Sequence, residues 1–211
     1  MPIKINVKKS INENAIKNFV LFSDEQFKIN SLNKLSLGRF SGDINKTINS
    51  HKSKKKEILT FNLNPTQKVI VIKLNAKYSP LSNEKKGAEF FDFIKSNSIF
   101  NATFLEENFS DILKKDKYFL DNFIHGMELK SYTFNKYKTK KEIENFEINI
   151  SFNSKKFNFN KDKRFGSLID GITFTKDLVS EPGNILHPDE YAKRLVYLKK
   201  IWIESKCLRS K

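Results

Sequence analysis

Val69-Ile70-Val71-Ile72 places four β-branched apolar side chains on successive positions. Successive residues of a strand point to opposite faces, so a strand there needs apolar cover on both sides, as a central strand of a layered sheet has. Ile58-Leu59-Thr60-Phe61-Asn62-Leu63 precedes it, and Asn64-Pro65-Thr66-Gln67 lies between. Two strands joined by a turn are therefore expected over 58–63 and 69–74. Ile3-Lys4-Ile5-Asn6-Val7 alternates apolar and polar residues, the signature of a half-buried strand. The segment 15–22 ends in the apolar run Phe19-Val20-Leu21-Phe22, and Ile99 to Leu105 has a strand pattern as well. Ile143, Phe146, Ile148, Ile150 and Phe152 mark a further strand, the last four alternating strictly.

Helical spacing separates these strands. Ala88, Phe91 and Ile94, with Phe90 and Phe93 beside them, predict a helix over 84–95. From Tyr118 the stripe Leu120, Phe123, Ile124, Met127 and Ser131 predicts an amphipathic one. Strands interleaved with helices specify an α/β fold: a three-layer mixed sheet flanked by helices. Residues 23–56 are polar with weak periodicity, punctuated by Gly38 and Gly42, and carry no clear element. A first domain over 1–153 is expected to end where Asn153-Ser154-Lys155-Lys156 turns polar. A second unit, 154–211, opens with two helices. The first carries Phe165, Leu168, Ile169, Ile172 and Val179 on one face. The second starts at Pro188, with Asp189 and Glu190 suited to a first turn, and its apolar face is Tyr191, Leu195 and Leu198. Ser180-Glu181-Pro182-Gly183-Asn184 between them is a loop rich in helix breakers.

Composition narrows the function classes. The 211 residues carry a formal net charge of +15, from 39 Lys+Arg against 24 Asp+Glu. Lys, Asn, Ile and Phe number 35, 23, 22 and 20, whereas Arg numbers only 4. Those four residues have A/T-rich codons, so codon bias accounts for the profile, and a nucleic-acid binder would favour Arg for its bidentate fork. The alternative is an autonomous basic module making weak, non-specific contact with nucleic acid. His51-Lys52-Ser53-Lys54-Lys55-Lys56 reads as a solvated loop before a strand. One Cys rules out a disulfide framework. No apolar run is long enough to span a membrane, and MPIKINVKK lacks the apolar centre of a secretory signal, so a cytoplasmic protein is expected.

Chemistry-bearing residues are sparse. His51, His125 and His187 are far apart and form no HExxH pair, and Cys207 has no metal-binding partner at suitable spacing. No GxGxxG or GxxxxGK[ST] string occurs, so neither standard phosphate loop is present. The neighbouring carboxylates Glu106-Glu107 and Asp189-Glu190 suit helix starts or solvated turns better than acid–base work. Tyr132, Phe134 and Tyr137 interleave with Lys130, Lys136, Lys138 and Lys140; that pattern suits base stacking, and equally the packing of a segment leaving a helix.

Two segments carry a resemblance. Ser131-Tyr132-Thr133-Phe134-Asn135-Lys136-Tyr137-Lys138-Thr139-Lys140-Lys141 is similar to a YxFxxYKTKK pattern, and the segment from Asp177 to Ala192 to DLVNxPxNxLxPxxYA. In this order and at this distance they resemble the leucyl aminopeptidase (cytosol aminopeptidase) family, over roughly 118–200. Ser180 stands where that family has Asn, and His187 where a smaller residue is common; Pro182, Asn184 and Pro188 keep the framework. The resemblance implies a macro-domain-like N-terminal α/β domain, a linking helix and a C-terminal catalytic domain. It also implies a cytosolic peptidase that removes N-terminal residues, leucine favoured, from peptides, uses two divalent ions (manganese, zinc or magnesium) and assembles as a homohexamer. Some bacterial members also bind DNA. The family's ligands are a Lys and several Asp/Glu, partly in an NTDAEGR-like segment with its bicarbonate-binding Arg, and no such string occurs in the 211 residues. No catalytic, metal-binding or substrate-binding residue transfers. The expectation is a chain without a cofactor of its own, inactive alone. Ile201 to Lys211, with the sole Trp and Cys, suggests a replaced or prematurely ended continuation. The apolar faces over 165–179 and 188–198 would then lack their cover.

Overall fold

A computed structural model describes residues 3–9, 12–30, 32–35, 37–52, 56–75, 79–139, 145–152 and 163–196. Along the chain run β1 (Ile3–Lys9), β2 (Asn18–Ser23), α1 (Ser41–His51), β3 (Ile58–Asn62), β4 (Lys68–Lys73), α2 (Pro80–Ser96), β5 (Asn101–Leu105), α3 (Glu106–Lys115), α4 (Phe119–Ser131), β6 (Phe146–Phe152) and α5 (Lys163–Ser180). A helical segment over 188–196 follows. The proposed domain boundary at 153, Ile143, Leu198, Cys207 and the segment 201–211 lie outside the described residues.

The strands form one six-stranded sheet in the order β1-β6-β5-β2-β4-β3. All neighbours are parallel except β3 and β4, which pair antiparallel from Ile58–Ile72 to Asn62–Lys68. The expected turn joins them: the Asn64 Oδ1 accepts from the backbone N–H groups of Thr66 (2.9 Å) and Gln67 (2.8 Å). β4 is central in burial: Val69, Ile70, Val71 and Ile72 are all fully buried.

Alternation sends β2 and β4 into two cores. Val20, Phe22, Ile70 and Ile72 join Ala102, Phe104, Phe146, Ile148 and Ile150 beneath α2 and α4. Phe19, Leu21, Val69 and Val71 join Leu59 and the α1 residues Ile44 and Ile48 on the other face. Phe22 anchors the first core, edge-on to Phe119 (5.1 Å, 84°) and Phe123 (5.3 Å, 85°). Apolar cover on the second face is concentrated over β2, β4 and β3. Towards β1 that face is polar, and the Asn6 side-chain amide donates to the Glu147 carboxylate (2.5 Å) and Asn149 Oδ1 (3.2 Å).

Three elements depart from the expectation. Residues 23–56, without a clear sequence signal, contain α1, whose core contacts are only Ile44 and Ile48. α3 begins directly at the end of β5, with Glu106 and Glu107 in its first turn and Lys114 and Lys115 in its last, favourable to the helix dipole. α2 starts four residues before the expected 84: Ser79 and Ser82 form a reciprocal capping box (3.2 and 3.1 Å) ahead of Pro80.

Candidate functional site

Open α/β sheets bind ligands in the crevice beyond the carboxyl ends of two strands whose onward connections diverge. Here those strands are β2, which leads through α1 towards β3, and β5, which leads through α3 and α4 towards β6. Their pairing covers only Phe19–Thr103 and Val20–Phe104. Beyond it the buried Asn108 of α3 takes over as a strand substitute: its Oδ1 accepts from the Phe22 N–H (2.6 Å) and its Nδ2 donates to the Phe22 carbonyl (3.1 Å). At this end of β2 the backbone of Phe22 is thus satisfied by the protein's own amide.

A second concavity of about 440 Å3 is lined by Thr133, Phe134, Asn135, Lys136, Phe174, Asp177, Leu178, Glu181 and Arg194. Most of its walls come from the two segments whose sequence stood out, Thr133 to Lys136 from the first and Asp177, Leu178 and Glu181 from the second, with Phe174 and Arg194 beside them; Tyr132 and Asp177, which bond across the seam, are 45 positions apart in the chain. α5 brings them together. The Lys176 ammonium donates to the Leu129 carbonyl (2.9 Å) at the end of α4, a cation satisfying a helix C-terminus. The Tyr132 hydroxyl donates to the Asp177 carboxylate (2.7 Å). Burial raises the Tyr132 phenol above its usual pKa, and the bond to Asp177 adds to it.

Glu181 is the centre of this seam. Its side chain is 1% exposed, and its two oxygens accept from Lys136 Nζ (2.5 Å), the Tyr137 hydroxyl and Arg194 Nη1 (2.8 Å). Arg194 Nε also donates to Glu190 (3.1 Å). Donation from Lys136, then Tyr137 and Arg194, outweighs desolvation and lowers the Glu181 pKa to about 2. The same bonds raise Lys136 and Tyr137. This carboxylate is held ionised by its partners and has no proton to give or take near neutral pH.

The remaining candidates are dispersed. His125 is buried in α4 with its ring edge-on to Phe165 (5.2 Å); His51 ends α1 on the surface, and its Nδ1 meets the Thr47 carbonyl (2.9 Å). His187 is exposed, and its carbonyl accepts from the Tyr191 N–H (3.0 Å). Glu106 and Glu107 open α3, and Asp189 and Glu190 lie in the first turn of the 188–196 segment. Among the described residues, no three His, Cys, Asp or Glu side chains are grouped so as to hold a metal ion. The donor set of the described residues does not fit a dinuclear centre. Tyr132 and Tyr137 serve the Asp177 and Glu181 carboxylates, and Phe134 packs edge-on to Tyr137 (5.8 Å).

The expected apolar face of α5 is partly corrected. Ile169 and Leu178 are its buried residues, whereas Leu168 is 49% and Val179 82% exposed. Ile169 and Leu178 stand about half a turn apart round the helix, so the buried side changes along α5, and the expected stripe included positions that point away. Tyr191, Leu195 and Val196 are also exposed.

No family model matches the chain. Over 91 residues it is 37% identical to a protein named probable cytosol aminopeptidase from Rhodopseudomonas palustris (strain TIE-1), a match covering 39% of this chain and 18% of that protein. A probable cytosol aminopeptidase of Nitrobacter hamburgensis is 23% identical over 198 residues, covering 87% of this chain and 39% of the relative. Among solved structures, a tomato leucine aminopeptidase mutant has TM-score 0.68 at 16% identity, covering 95% of this chain and 42% of that one. A bottromycin maturation enzyme in complex with manganese has TM-score 0.55 at 10% identity, covering 89% and 37%. The chain spans less than half the length of these proteins. The resemblance carried by 131–141 and 177–192 is borne out by relatives named for this peptidase family, and the fold is similar to the leucine aminopeptidase N-terminal domain. The basic-module alternative finds no support in them. Among the described residues no helix is long and apolar enough to cross a membrane.

Proposed function

We propose that this chain, whose named relatives are cytosol aminopeptidases, forms the N-terminal, non-catalytic portion of a leucyl-aminopeptidase-type metallopeptidase. Such an enzyme removes N-terminal residues, leucine favoured, from peptides in the cytosol. The observation that carries this is the seam at Glu181: the two segments most like the family are the ones that the fold joins, through Tyr132–Asp177 and Lys136, Tyr137 and Arg194 around Glu181. Residues that serve each other across the fold make a scaffold, and the described residues supply no metal-ligand cluster for chemistry. Hydrolysis, the two divalent ions and hexamer assembly then belong to the part of the relatives' length that this chain does not match. Within the proposed enzyme the role of the α/β domain is to carry and orient the peptidase portion.

Leucine p-nitroanilide hydrolysis with added manganese, measured beside metal content by mass spectrometry, tests this. The expected result for the 211-residue chain is no turnover above buffer and no stoichiometric metal. Turnover, or tight uptake of two ions per chain, overturns the non-catalytic assignment.

A further inference from the structure

We infer that Glu181 is a positioning residue: one buried carboxylate pins the helical segment 188–196 to the α/β domain and so sets the direction in which the chain leaves it. Three observations converge on that role. α5 ends at Ser180, and Pro182 and Gly183 follow at once, a junction whose backbone does not continue the helix and does not by itself fix an angle. Apolar burial does not fix it either. Tyr191, Leu195 and Val196 remain 44%, 39% and 56% exposed, so the segment gains little from the hydrophobic effect against the domain. A polar tie does bridge the junction. Arg194, near the far end of the segment, reaches back to Glu181 Oε1, which also accepts from Lys136 of the stretch after α4.

The tie is ionic by construction. Lys136, Tyr137 and Arg194 all donate, and a carboxylate offers acceptors on both oxygens. A glutamine of the same size can keep its oxygen on Lys136 and Arg194 and donate its N–H2 to the Tyr137 hydroxyl, which also accepts, but it removes the charge that two cations face. What glutamine loses is therefore the charge assistance of two hydrogen bonds. Glu190, on the first turn of the same segment, accepts from Arg194 Nε (3.1 Å), so it braces the other edge of the guanidinium and keeps the fork aimed at Glu181. The inference rests on the proposed function only for its use: in a longer peptidase, the pin would set how whatever follows residue 196 faces the domain. The contact itself does not depend on that proposal.

Amide hydrogen exchange of the full 211-residue chain, as wild type, Glu181→Gln, Glu181→Ala and Arg194→Gln, tests the pin. Protection over 185–196, including the Tyr191 N–H, is expected to fall by about ten-fold or more in all three variants, while Val20 and Val71 in β2 and β4 keep theirs. That difference is one which general destabilisation does not produce. Wild-type protection over 185–196 in folded Glu181→Gln overturns the inference. So does a fall that is equal in the core strands. If the Glu181 variants do not fold, Arg194→Gln, altered at a side chain 23% exposed, decides by the same two criteria. Failure here leaves the aminopeptidase proposal standing, and metal-dependent turnover by the chain alone would leave the exchange result standing.

Discussion

Gly87 lies directly on the backbone carbonyl of Phe123: a β-carbon added to Gly87 would stand 1.8 Å from that oxygen. The contact is reciprocated one turn away, where a β-carbon on Gly126 would stand 1.9 Å from the Glu84 carbonyl. Two glycines facing two backbones let α2 and α4 cross at a distance that no side chain permits, and this places Phe90 and Phe123 together over Phe104.

Gly87→Ala and Gly126→Ala each force the helices apart, because the obstructing atoms are backbone and cannot rotate away. Each is expected to lower unfolding free energy by about 3 kcal/mol, read from denaturant midpoints. Gly171→Ala is the control: it meets nothing within 4 Å in the exposed middle of α5, and is expected to stabilise by about 0.5–1 kcal/mol.

Asn108→Ala strands the N–H and carbonyl of Phe22 in the interior. The expected cost is about 2–4 kcal/mol, measured by urea denaturation. Asn108→Asp keeps the acceptor for the N–H and sets a second oxygen against the carbonyl, so it should be nearly as damaging. An Asn108→Asp protein of wild-type stability would show that the second bond contributes nothing.

Acid tests Glu181. Its pKa is depressed from the ordinary 4.5 to about 2, so the folded state binds this proton less readily than the unfolded chain. The stabilisation is present above about pH 4.5 and lost as pH falls towards 2. Glu181→Gln removes that contribution, and its stability should fall less steeply than that of wild type across this window, followed by circular dichroism. Parallel pH profiles would disprove the assignment.

Lys86 carries a buried ion pair. Its side chain is 8% exposed, and its ammonium binds Glu57 and Glu89 (3.0 Å), while Glu57 also takes Lys73 (2.9 Å). Desolvation opposes its charge, yet the bonds from Glu57 and Glu89 win and hold its pKa above the usual value. Glu57 and Glu89 are 43% and 34% exposed and Glu57 keeps Lys73, so Lys86→Met strands no buried carboxylate and should cost under about 1 kcal/mol. Lys86→Ala also empties the space of the buried stem and should cost about 2 kcal/mol more, both by thermal denaturation.

Most strands and the two long core helices were legible from residue order, because their signal is local. Val69 to Ile72 needed cover on both faces and received it. α1 and α3 escaped for opposite reasons. α1 carries two core contacts in eleven residues, too few for a period. α3 follows β5 with no intervening turn, so its stripe Phe109, Ile112 and Leu113 merges with the apolar end of the strand. The likeness of 131–141 and 177–192 to a peptidase family was in the sequence too, but their union at Glu181 was not.

Sequence by itself determined the α/β alternation, the two-sided burial of β4 and the likeness to proteins named cytosol aminopeptidases, since periodicity and motif order are properties of neighbours along the chain. Only tertiary structure decided what Gly87, Gly126, Asn108 and Glu181 do. Each acts on a partner brought close by folding: Phe123, Glu84, Phe22 and Arg194. A missing β-carbon, a side-chain amide or a carboxylate has no readable task until the chain has placed a backbone oxygen, an unpaired strand end or a cation against it.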